Sequence, residues 1–251
     1  MPLHAIITAG GRLPKQLRAP NRSAVKALLK VDGKSMLEVS TDAAQACSAI
    51  SNIAIVGNNE VRAATPADCT FVAEGETVVD NIWRAFDQLG GLSHDYLVLS
   101  PDLPFLNASS LNTFIENARA DCELGMPLVR GKDFLAQFPN APNRFARVDG
   151  QLITMGSCLF LTGPILKSNI PLMRDVYRSR KSLLRLAVLL GWSVLIGLVM
   201  GHLRLKALEA RAKQLTGAEA RGIWLTDASI AYDIDNRQNY EYALKLGRRQ
   251  A

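Results

Sequence analysis

Several residues near the start of the chain have the types and spacing needed to bind phosphate. A short apolar run over residues 3–7, which predicts a strand, ends in a turn with Gly10-Gly11, where a ligand can touch the bare backbone. Backbone N–H groups and positive side chains together form a cradle for phosphate. The glycine pair is equally compatible with a plain tight turn. The basic residues that follow it are Arg12, Lys15, Arg18 and, after a polar loop, Lys26.

Asp102 is a second residue whose type and position suit catalysis or ligand binding. Asp102 follows the apolar run 96–100 and lies between Pro101 and Pro104, which keep it in a stiff loop. Ligands of open α/β sheets bind at the carboxyl ends of the strands, so Asp102 is placed to meet one. The alternative is that Asp102 is only a turn residue.

Alternating strand and helix patterns must position these residues. Ser35, Thr77 and Asn107 can cap three predicted helices, and Asp149-Gly150 is a strong hairpin signal. The alternation favours an α/β fold with a mainly parallel sheet and crossover helices. The predicted strands are 3–7, 52–56, 70–73, 96–100, 123–129, 145–148, 151–154, 158–162 and 221–225; the predicted helices are 35–47, 77–89, 107–120, 203–215 and 237–246.

The composition is that of a globular protein with an ordinary core. The 251 residues, 48% of them apolar, are enough for one α/β domain with a sizeable insertion. The four cysteines are widely spaced and favour reduced thiols, and the N-terminus shows no secretory signal, so we expect a cytoplasmic protein. The glycine patterns of dinucleotide-binding folds and of P-loops are absent.

The positive charge is concentrated in residues 174–213. This segment has nine Lys/Arg and two acids, which is +7, whereas the rest of the chain has 20 basic and 21 acidic residues. The chain lacks the sequence motifs of nucleic-acid-binding folds, which argues against nucleic acid as a partner. Within the segment, residues 186–201 carry no charge but are fewer than the roughly 20 that a spanning helix needs. We expect them to pack as helices on the protein or on a second copy; contact with a membrane surface and a spanning helix are the alternatives.

Together, the glycine turn, the basic loop and the segment after them resemble a known family. The sequence AGG, the basic loop and KALLKVDGKSMLE are similar to the signature of nucleotidyltransferases of the GT-A-like fold, in particular the MobA-like NTP transferases. The resemblance implies an α/β, Rossmann-type three-layer sandwich with a mainly parallel mixed sheet and a C-terminal helical insertion. We therefore expect a single domain over residues 1–251, with the insertion at 164–217.

The resemblance also implies roles for individual residues. Lys26 matches the lysine that contacts phosphate, and Asp102 in SPDLPFL and Asp235 in DIDNRQNYE match two aspartates that bind magnesium. Capping the last helix is the alternative role for Asp235. The glycine and arginine that usually follow AGG are missing, so Arg12 or Lys15 is expected to replace that arginine. The expected nucleotide contacts are Ala9, Gly10, Gly11, Arg12, Lys15, Lys26, Thr77 and Asn81, and the expected acceptor contacts are Gly156 and Ser157.

These matches imply a Mg²⁺-dependent enzyme that transfers NMP from an NTP to a small phosphorylated acceptor and releases pyrophosphate. Such a reaction needs two anionic partners to be positioned and their charge to be neutralised, and carboxylates suit Mg²⁺. The expected catalytic residues are Lys26, Asp102 and Asp235. One alternative is a GT-A glycosyltransferase that uses a nucleotide sugar, although the AGG and KALL motifs suit a free triphosphate. The other is a weakly active nucleotide-binding protein docked at a membrane surface through residues 174–213.

Overall fold

A mixed β-sheet forms the centre of the fold. The computed structural model describes residues 1–17, 23–179 and 202–250, with Ser182, Gly191, Val194, Gly197 and Met200 between the last two ranges. Nine strands of the described residues belong to this sheet. They are β1 (Leu3–Thr8), β4 (Ile50–Gly57), β5 (Thr70–Ala73), β6 (Asp95–Leu99), β7 (Leu124–Arg130), β8 (Ala146–Val148), β9 (Gln151–Met155), β10 (Cys158–Thr162) and β11 (Ala220–Leu225); β2 (Lys30–Val31) and β3 (Lys34–Ser35) pair separately.

The strand order places β1 in the middle of a parallel group. The order is β5-β4-β1-β6-β10-β7-β9-β8, and β11 pairs with β7. β1 is parallel to both β4 and β6, β4 is parallel to β5, and β11 is parallel to β7. β10 is antiparallel to β6 and β7, and β9 is antiparallel to β7 and β8. The carboxyl ends of β1, β4 and β6 therefore lie at one edge of the sheet. The glycine turn follows β1 at this edge, and Asp102 follows β6.

Helices cover both faces of the sheet. Along β1, Ala5 and Ile7 belong to one hydrophobic cluster and Ile6 to the other, because successive side chains of a strand point to opposite faces. This arrangement confirms the predicted three-layer α/β class. The described helices are α1 (Met36–Gln45), α2 (Asn59–Ala63), α3 (Val78–Gln88), α4 (Ala108–Asp121), α5 (Gly131–Gln137), α6 (Gly163–Ser168), α7 (Ile170–Ser179), α8 (Leu205–Thr216) and α9 (Arg237–Gln250).

The predicted caps and hairpin are confirmed. Ser35 and Thr77 each form a capping box, at the starts of α1 and α3, and the Asn107 side chain accepts from a backbone N–H at the start of α4. Asp149 and Gly150 both have positive φ, 48° and 75°, as a two-residue hairpin turn requires. The short elements α2 and β2–β3 were not predicted, because five-residue and two-residue elements carry too little periodicity.

The range 164–217, which was predicted to be a helical insertion, is described in part. Its helices α6, α7 and α8 lie within or next to the predicted range 164–217. The predicted apolar segment 186–201 lies outside the described residues except at Gly191, Val194, Gly197 and Met200, and Arg18 also lies outside them. Among the described parts of the chain, no helix combines the length and the apolar character needed to cross a bilayer.

Two histidine rings contact each other at the amino-terminal ends of β1 and β6, and that of His4 is buried. His4 of β1 is 3% exposed, and its ring centroid lies 4.2 Å from that of His94. The Nδ1 atoms of both rings are buried and have no hydrogen-bond partner in the described structure. Burial, reinforced by the neighbouring His94, lowers the pKa of His4 below its ordinary value of 6.5.

We expect acid to destabilise the fold through His4. The pKa of His4 is lower in the folded chain than in the unfolded one, so the unfolded state takes up the proton first as the pH falls. The loss of stability begins near the unfolded pKa and is complete below the folded pKa. His4→Phe keeps an aromatic ring but removes the titration. The Tm of the wild type should therefore fall more steeply than that of His4→Phe between about pH 7.5 and about pH 5.5; parallel curves would contradict this.

Candidate functional site

The glycine turn lies at the end of β1, close to two side chains of the neighbouring segment. Ala9 donates its N–H to the Val56 carbonyl at 2.7 Å, which continues the pairing of β1 with β4. A Cβ atom on Gly10 would collide with the Glu74 carboxylate and would lie 3.3 Å from Asn81 Nδ2. Glycine at this position leaves room for the Glu74 carboxylate, and a ligand in the turn can reach the backbone directly.

The loop after the glycines is closed at its base, and this closure positions Lys26. The Lys26 N–H donates to the Gly11 carbonyl at 2.8 Å, and the Leu13 N–H donates to the Ala24 carbonyl at 2.7 Å. Next to Lys26, Ala27 is 1% exposed and anchors this part of the loop in the core. The sequence neighbours of Lys26 are thus buried, and its side chain is directed away from them to the sheet edge.

The Lys26 ammonium contacts both aspartates that the sequence singled out. Its Nζ lies 2.5 Å from Asp102 Oδ2 and 3.2 Å from Asp235 Oδ1. The Lys26 and Asp102 side chains are 17% and 12% exposed, whereas that of Asp235 is 71% exposed. Burial lowers the pKa of Lys26, but the Asp102 and Asp235 carboxylates outweigh this effect and raise the pKa above 10.5. Lys26 is therefore a permanent cation here.

Asp233 joins these two aspartates in a cluster of three carboxylates. One oxygen of each lies within 4.8 Å of one oxygen of the others. Ile234, between Asp233 and Asp235, is fully buried and donates its N–H to the Asp102 carbonyl at 3.1 Å. Residues i and i+2 of an extended segment share one side, which brings both carboxylates to Asp102. Burial and the charges of Asp235 and Asp102 raise the pKa of Asp233 to about 7.

The carboxylate cluster fits a divalent metal. Asp102 Oδ1 is buried and makes no hydrogen bond to any described residue, so it keeps a lone pair available for a ligand. Carboxylate oxygens are the ligands preferred by Mg²⁺ and similar hard cations. The predicted cap of the last helix, in contrast, is not formed by Asp235: the side chain of Asn236 accepts the Asn239 N–H at 3.0 Å.

A cavity of about 420 Å³ lies beside this cluster, within the usual size range of ligand sites. At its α3 side, the Asn81 side-chain oxygen accepts the Gly75 N–H at 2.6 Å, so the amide is fixed. Thr77, which caps α3, lies next to it. The predicted site residues that line the cavity are Gly10, Gly11, Arg12, Lys26, Thr77, Asn81 and Asp102; the other lining residues are Thr8, Ala27, Glu74, Gly75, Glu76, Val78, Ser100, Pro101 and Tyr177.

Arg12, rather than Lys15, is the basic residue that lines the cavity. Its Nη2 atom lies 2.8 Å from Glu74 Oε1, which orients the guanidinium at the cavity wall. Lys15 belongs to a 3₁₀ turn, Lys15–Leu17, and is not among the described residues that line the cavity. The geometry therefore favours Arg12 as the replacement for the missing arginine.

Ala9, Gly156 and Ser157 are also absent from the described cavity wall. The Gly156 and Ser157 N–H groups donate to the Pro127 and Ile230 carbonyls, and the Ser157 carbonyl accepts the Ser100 N–H at 3.0 Å. This turn thus supports the strand end that precedes Asp102.

The sequence interpretation missed three residues, Glu74, Asp233 and Tyr177; of these, only Asp233 had a signal, its i, i+2 spacing from Asp235.

The chain is similar to proteins of known structure. The model of the MobA-like NTP transferase domain matches residues 5–191, which confirms the resemblance seen in the sequence. A hypothetical transferase from Thermus thermophilus is 29% identical with a TM-score of 0.83, covering 97% of this chain and 100% of that chain. A comparison with curated proteins gives no match.

Two more distant structures share the fold. The CMP:2-keto-3-deoxy-manno-octonic acid synthetase complexed with CTP is 13% identical with a TM-score of 0.66, covering 100% of both chains. The 2-C-methyl-D-erythritol 4-phosphate cytidylyltransferase from Thermus thermophilus is 15% identical with a TM-score of 0.55, covering 99% of this chain and 100% of that chain. The three-layer arrangement is thus the Rossmann-like GT-A type of nucleotidyltransferases.

We expect Lys26 and Asp102 to be energetically coupled. Lys26→Met leaves the little-exposed Asp102 carboxylate without its cation and should lower the free energy of unfolding by about 1–3 kcal/mol. Asp102→Asn removes the carboxylate charge, so the double variant should lose less stability than the sum of the single variants. Urea unfolding of all four proteins measures this difference. Additive losses would show that the contact contributes nothing to stability.

Proposed function

Because the chain belongs to the MobA-like NTP transferase family and is a nucleotidyltransferase, we propose that it transfers NMP from an NTP to a small phosphorylated acceptor and releases pyrophosphate. One observation carries this proposal. A permanent cation, Lys26, contacts two carboxylates of a three-carboxylate cluster at a cavity that opens onto bare glycine backbone. Phosphate groups and a divalent metal are the ligands that this combination suits.

In this proposal, Asp102 and Asp235 hold a magnesium ion, and Asp233 lies near enough to provide a third carboxylate ligand. When bound, the metal supplies positive charge to the phosphate oxygens at the reacting centre. The triphosphate lies along Gly10 and Gly11, whose backbone is accessible. The Arg12 and Lys26 side chains offset its charge, and Thr77 and Asn81 contact the rest of the nucleotide.

The acceptor is proposed to be a phosphate because of what lines the cavity. Its described titratable lining residues are Arg12, Lys26, Glu74, Glu76, Asp102 and Tyr177, without a histidine. Lys26 has a raised pKa and cannot act as a base. A phosphate oxygen is already ionised at neutral pH and needs no base: it bonds to the α-phosphorus, the bond from that phosphorus to the bridging oxygen breaks, and pyrophosphate leaves with the electron pair.

We place the acceptor beside Gly156 and Ser157. Their turn is hydrogen-bonded to Ser100, two residues before Asp102, so it lies near the expected path of an attacking group. Both backbone N–H groups of the turn already have carbonyl partners, which leaves the Ser157 hydroxyl as the contact available to an acceptor.

The activity is tested by incubating the protein with each of the four common NTPs, Mg²⁺ and a panel of phosphorylated small molecules. Release of pyrophosphate together with two new, mutually coupled phosphorus signals of a disubstituted diphosphate by ³¹P NMR is the expected result. The same panel without phosphate groups is the control. Turnover of the unphosphorylated compounds alone would contradict the proposed acceptor class, and absence of pyrophosphate with every pair would contradict the proposed reaction.

We expect Asp102→Asn and Asp235→Asn each to lower kcat by about 100-fold or more, because each removes a charge that positions the metal at the phosphates. Asp42→Asn is the matched control, since its carboxylate is 55% exposed and pairs with Lys34 on the surface. Binding of Mn²⁺ to each variant should weaken in parallel. Full activity of either variant at ordinary magnesium concentration would remove Asp102 or Asp235 from the metal site.

We expect Lys26→Ala to weaken NTP binding by about 1.5–3 kcal/mol, the usual contribution of a charged hydrogen bond. Lys34→Ala removes the same charge from an exposed lysine, 63% accessible, and should leave the affinity unchanged. Calorimetric titration with Mg²⁺ and NTP measures both. Equal affinities of Lys26→Ala and the wild type would exclude Lys26 as a phosphate contact.

A further inference from the structure

One aromatic ring reaches the nucleotide cavity from the C-terminal half of the chain. Tyr177 of α7 lines the cavity, and it is the single aromatic residue among the described residues that do so. It is separated by 75 residues or more from all the other lining residues, which lie between Thr8 and Asp102. α7 therefore contributes a side chain to a cavity whose other described lining residues come from the first 102 residues.

An ion pair joins α7 to the start of α3. Arg174 Nη2 lies 3.1 Å from Asp80 Oδ1. The other oxygen of the same carboxylate accepts from the backbone N–H and the hydroxyl of Thr77, at 3.2 and 2.7 Å. The Thr77 hydrogen bonds and the Arg174 guanidinium together lower the pKa of Asp80, so this carboxylate stays ionised at neutral pH. Arg174 thus pairs with Asp80, and Asp80 is in turn hydrogen-bonded to Thr77, which lines the cavity.

The helical spacing of Arg174 and Tyr177 relates this ion pair to the position of the tyrosine ring. Residues three apart lie on the same face of a helix, so Arg174 and Tyr177 face α3 together. With Arg174 held at Asp80, one turn of α7 is fixed against the N-terminus of α3. Tyr177 is thereby presented on the α3 side of the cavity, where Thr77, Val78 and Asn81 also lie.

The charges in the cavity decide which part of a nucleotide lies on that side. Arg12, Lys26 and the glycine backbone suit the phosphates, although Glu74 beside Gly10 is acidic and paired with Arg12. Glu76, at the start of the α3 side, would repel the phosphates. The groups on the α3 side are instead those that suit a base. Val78 is a 37% exposed apolar side chain, Asn81 provides a fixed amide, and Tyr177 provides a flat ring.

We propose that Tyr177 contacts the nucleobase of the bound NTP, stacking on its face, and that Arg174 is a positioning residue that holds the ring there. This inference rests on the proposed function and adds the residues that bind the base. Stacking does not depend on the hydrogen-bond pattern of the base, so Tyr177 contributes affinity, while the Asn81 amide offers hydrogen bonds that differ between bases.

The test compares an NTP with inorganic triphosphate, which has the same charged groups but no base. The NTP is whichever of ATP, CTP, GTP and UTP the wild type binds most tightly in calorimetric titration. Tyr177→Ala should weaken its binding by roughly 5- to 100-fold, the range measured for base–aromatic stacking, and leave inorganic triphosphate unaffected. Tyr177→Phe should bind like the wild type. Val176→Ala, at the neighbouring position of α7, is the matched control, and Tyr177→Leu replaces Tyr177→Ala if the latter does not fold.

Arg174 is tested by variants of the same helix. Arg174→Ala should raise the KM for the NTP by several-fold with little change in kcat, and Arg174→Lys should restore most of the loss. Arg178→Ala removes the same charge from a side chain that is 74% exposed and pairs only weakly with Asp175, so it should have no effect. A structural defect alone would lower kcat and stability without this split.

The outcomes separate the two proposals. If the wild type binds an NTP and Tyr177→Ala binds it equally well, the inference about Tyr177 is wrong and the proposed function stands. Equal weakening of NTP and inorganic triphosphate would also overturn the inference, because it would place Tyr177 at the phosphates. If the wild type binds none of the four NTPs, both the proposed function and the inference fail.

Discussion

The contact of one ammonium group with two carboxylates is the interaction on which the site depends. Lys26, Asp102 and Asp235 come from the start, the middle and the end of the sequence and meet at one sheet edge. Three carboxylates this close repel one another, and Asp102 is nearly buried, so removing the cation would leave uncompensated charge in a region poor in water. The backbone bond from Ile234 to Asp102 keeps the two acidic segments in place despite this repulsion.

The sheet explains why those three residues can meet. β1 is parallel to both β4 and β6, so the loops after these strands leave the same edge of the sheet. The loop after β1 is closed on itself by the pairing of Arg12 with Val25, and this returns Lys26 to Gly11. The turn at Ser157 then supports the end of β6 from the antiparallel strand β10. Each catalytic candidate is therefore held by backbone hydrogen bonds, which do not depend on a ligand.

Local features of this fold could be predicted from the sequence, and long-range contacts could not. The caps at Ser35 and Thr77 and the Asp149 turn depend on a few neighbouring residues, so their chemistry is visible in the sequence. Asp102 was singled out because it follows a strand-like run, whereas Lys26 was singled out by its match to the phosphate-binding lysine of the family that the sequence resembles. Tyr177 was missed because nothing near it in sequence indicates a ligand; it reaches the cavity through the packing of α7 beside α3, where Arg174 pairs with Asp80. The cap of the last helix was placed one residue early, since both Asp235 and Asn236 have suitable side chains.

Under the proposed function, the charges of the carboxylate cluster determine whether a nucleotide binds alone or together with a metal ion. Asp102, Asp233 and Asp235 lie around a single lysine, and burial together with the charges of Asp235 and Asp102 raises the pKa of Asp233 to about 7. A free triphosphate would add several more negative charges beside these acids, with Arg12 already paired to Glu74. Coulomb repulsion at such distances disfavours that arrangement unless a further cation arrives with the phosphates. The site is therefore suited to a metal–nucleotide complex rather than to the free nucleotide.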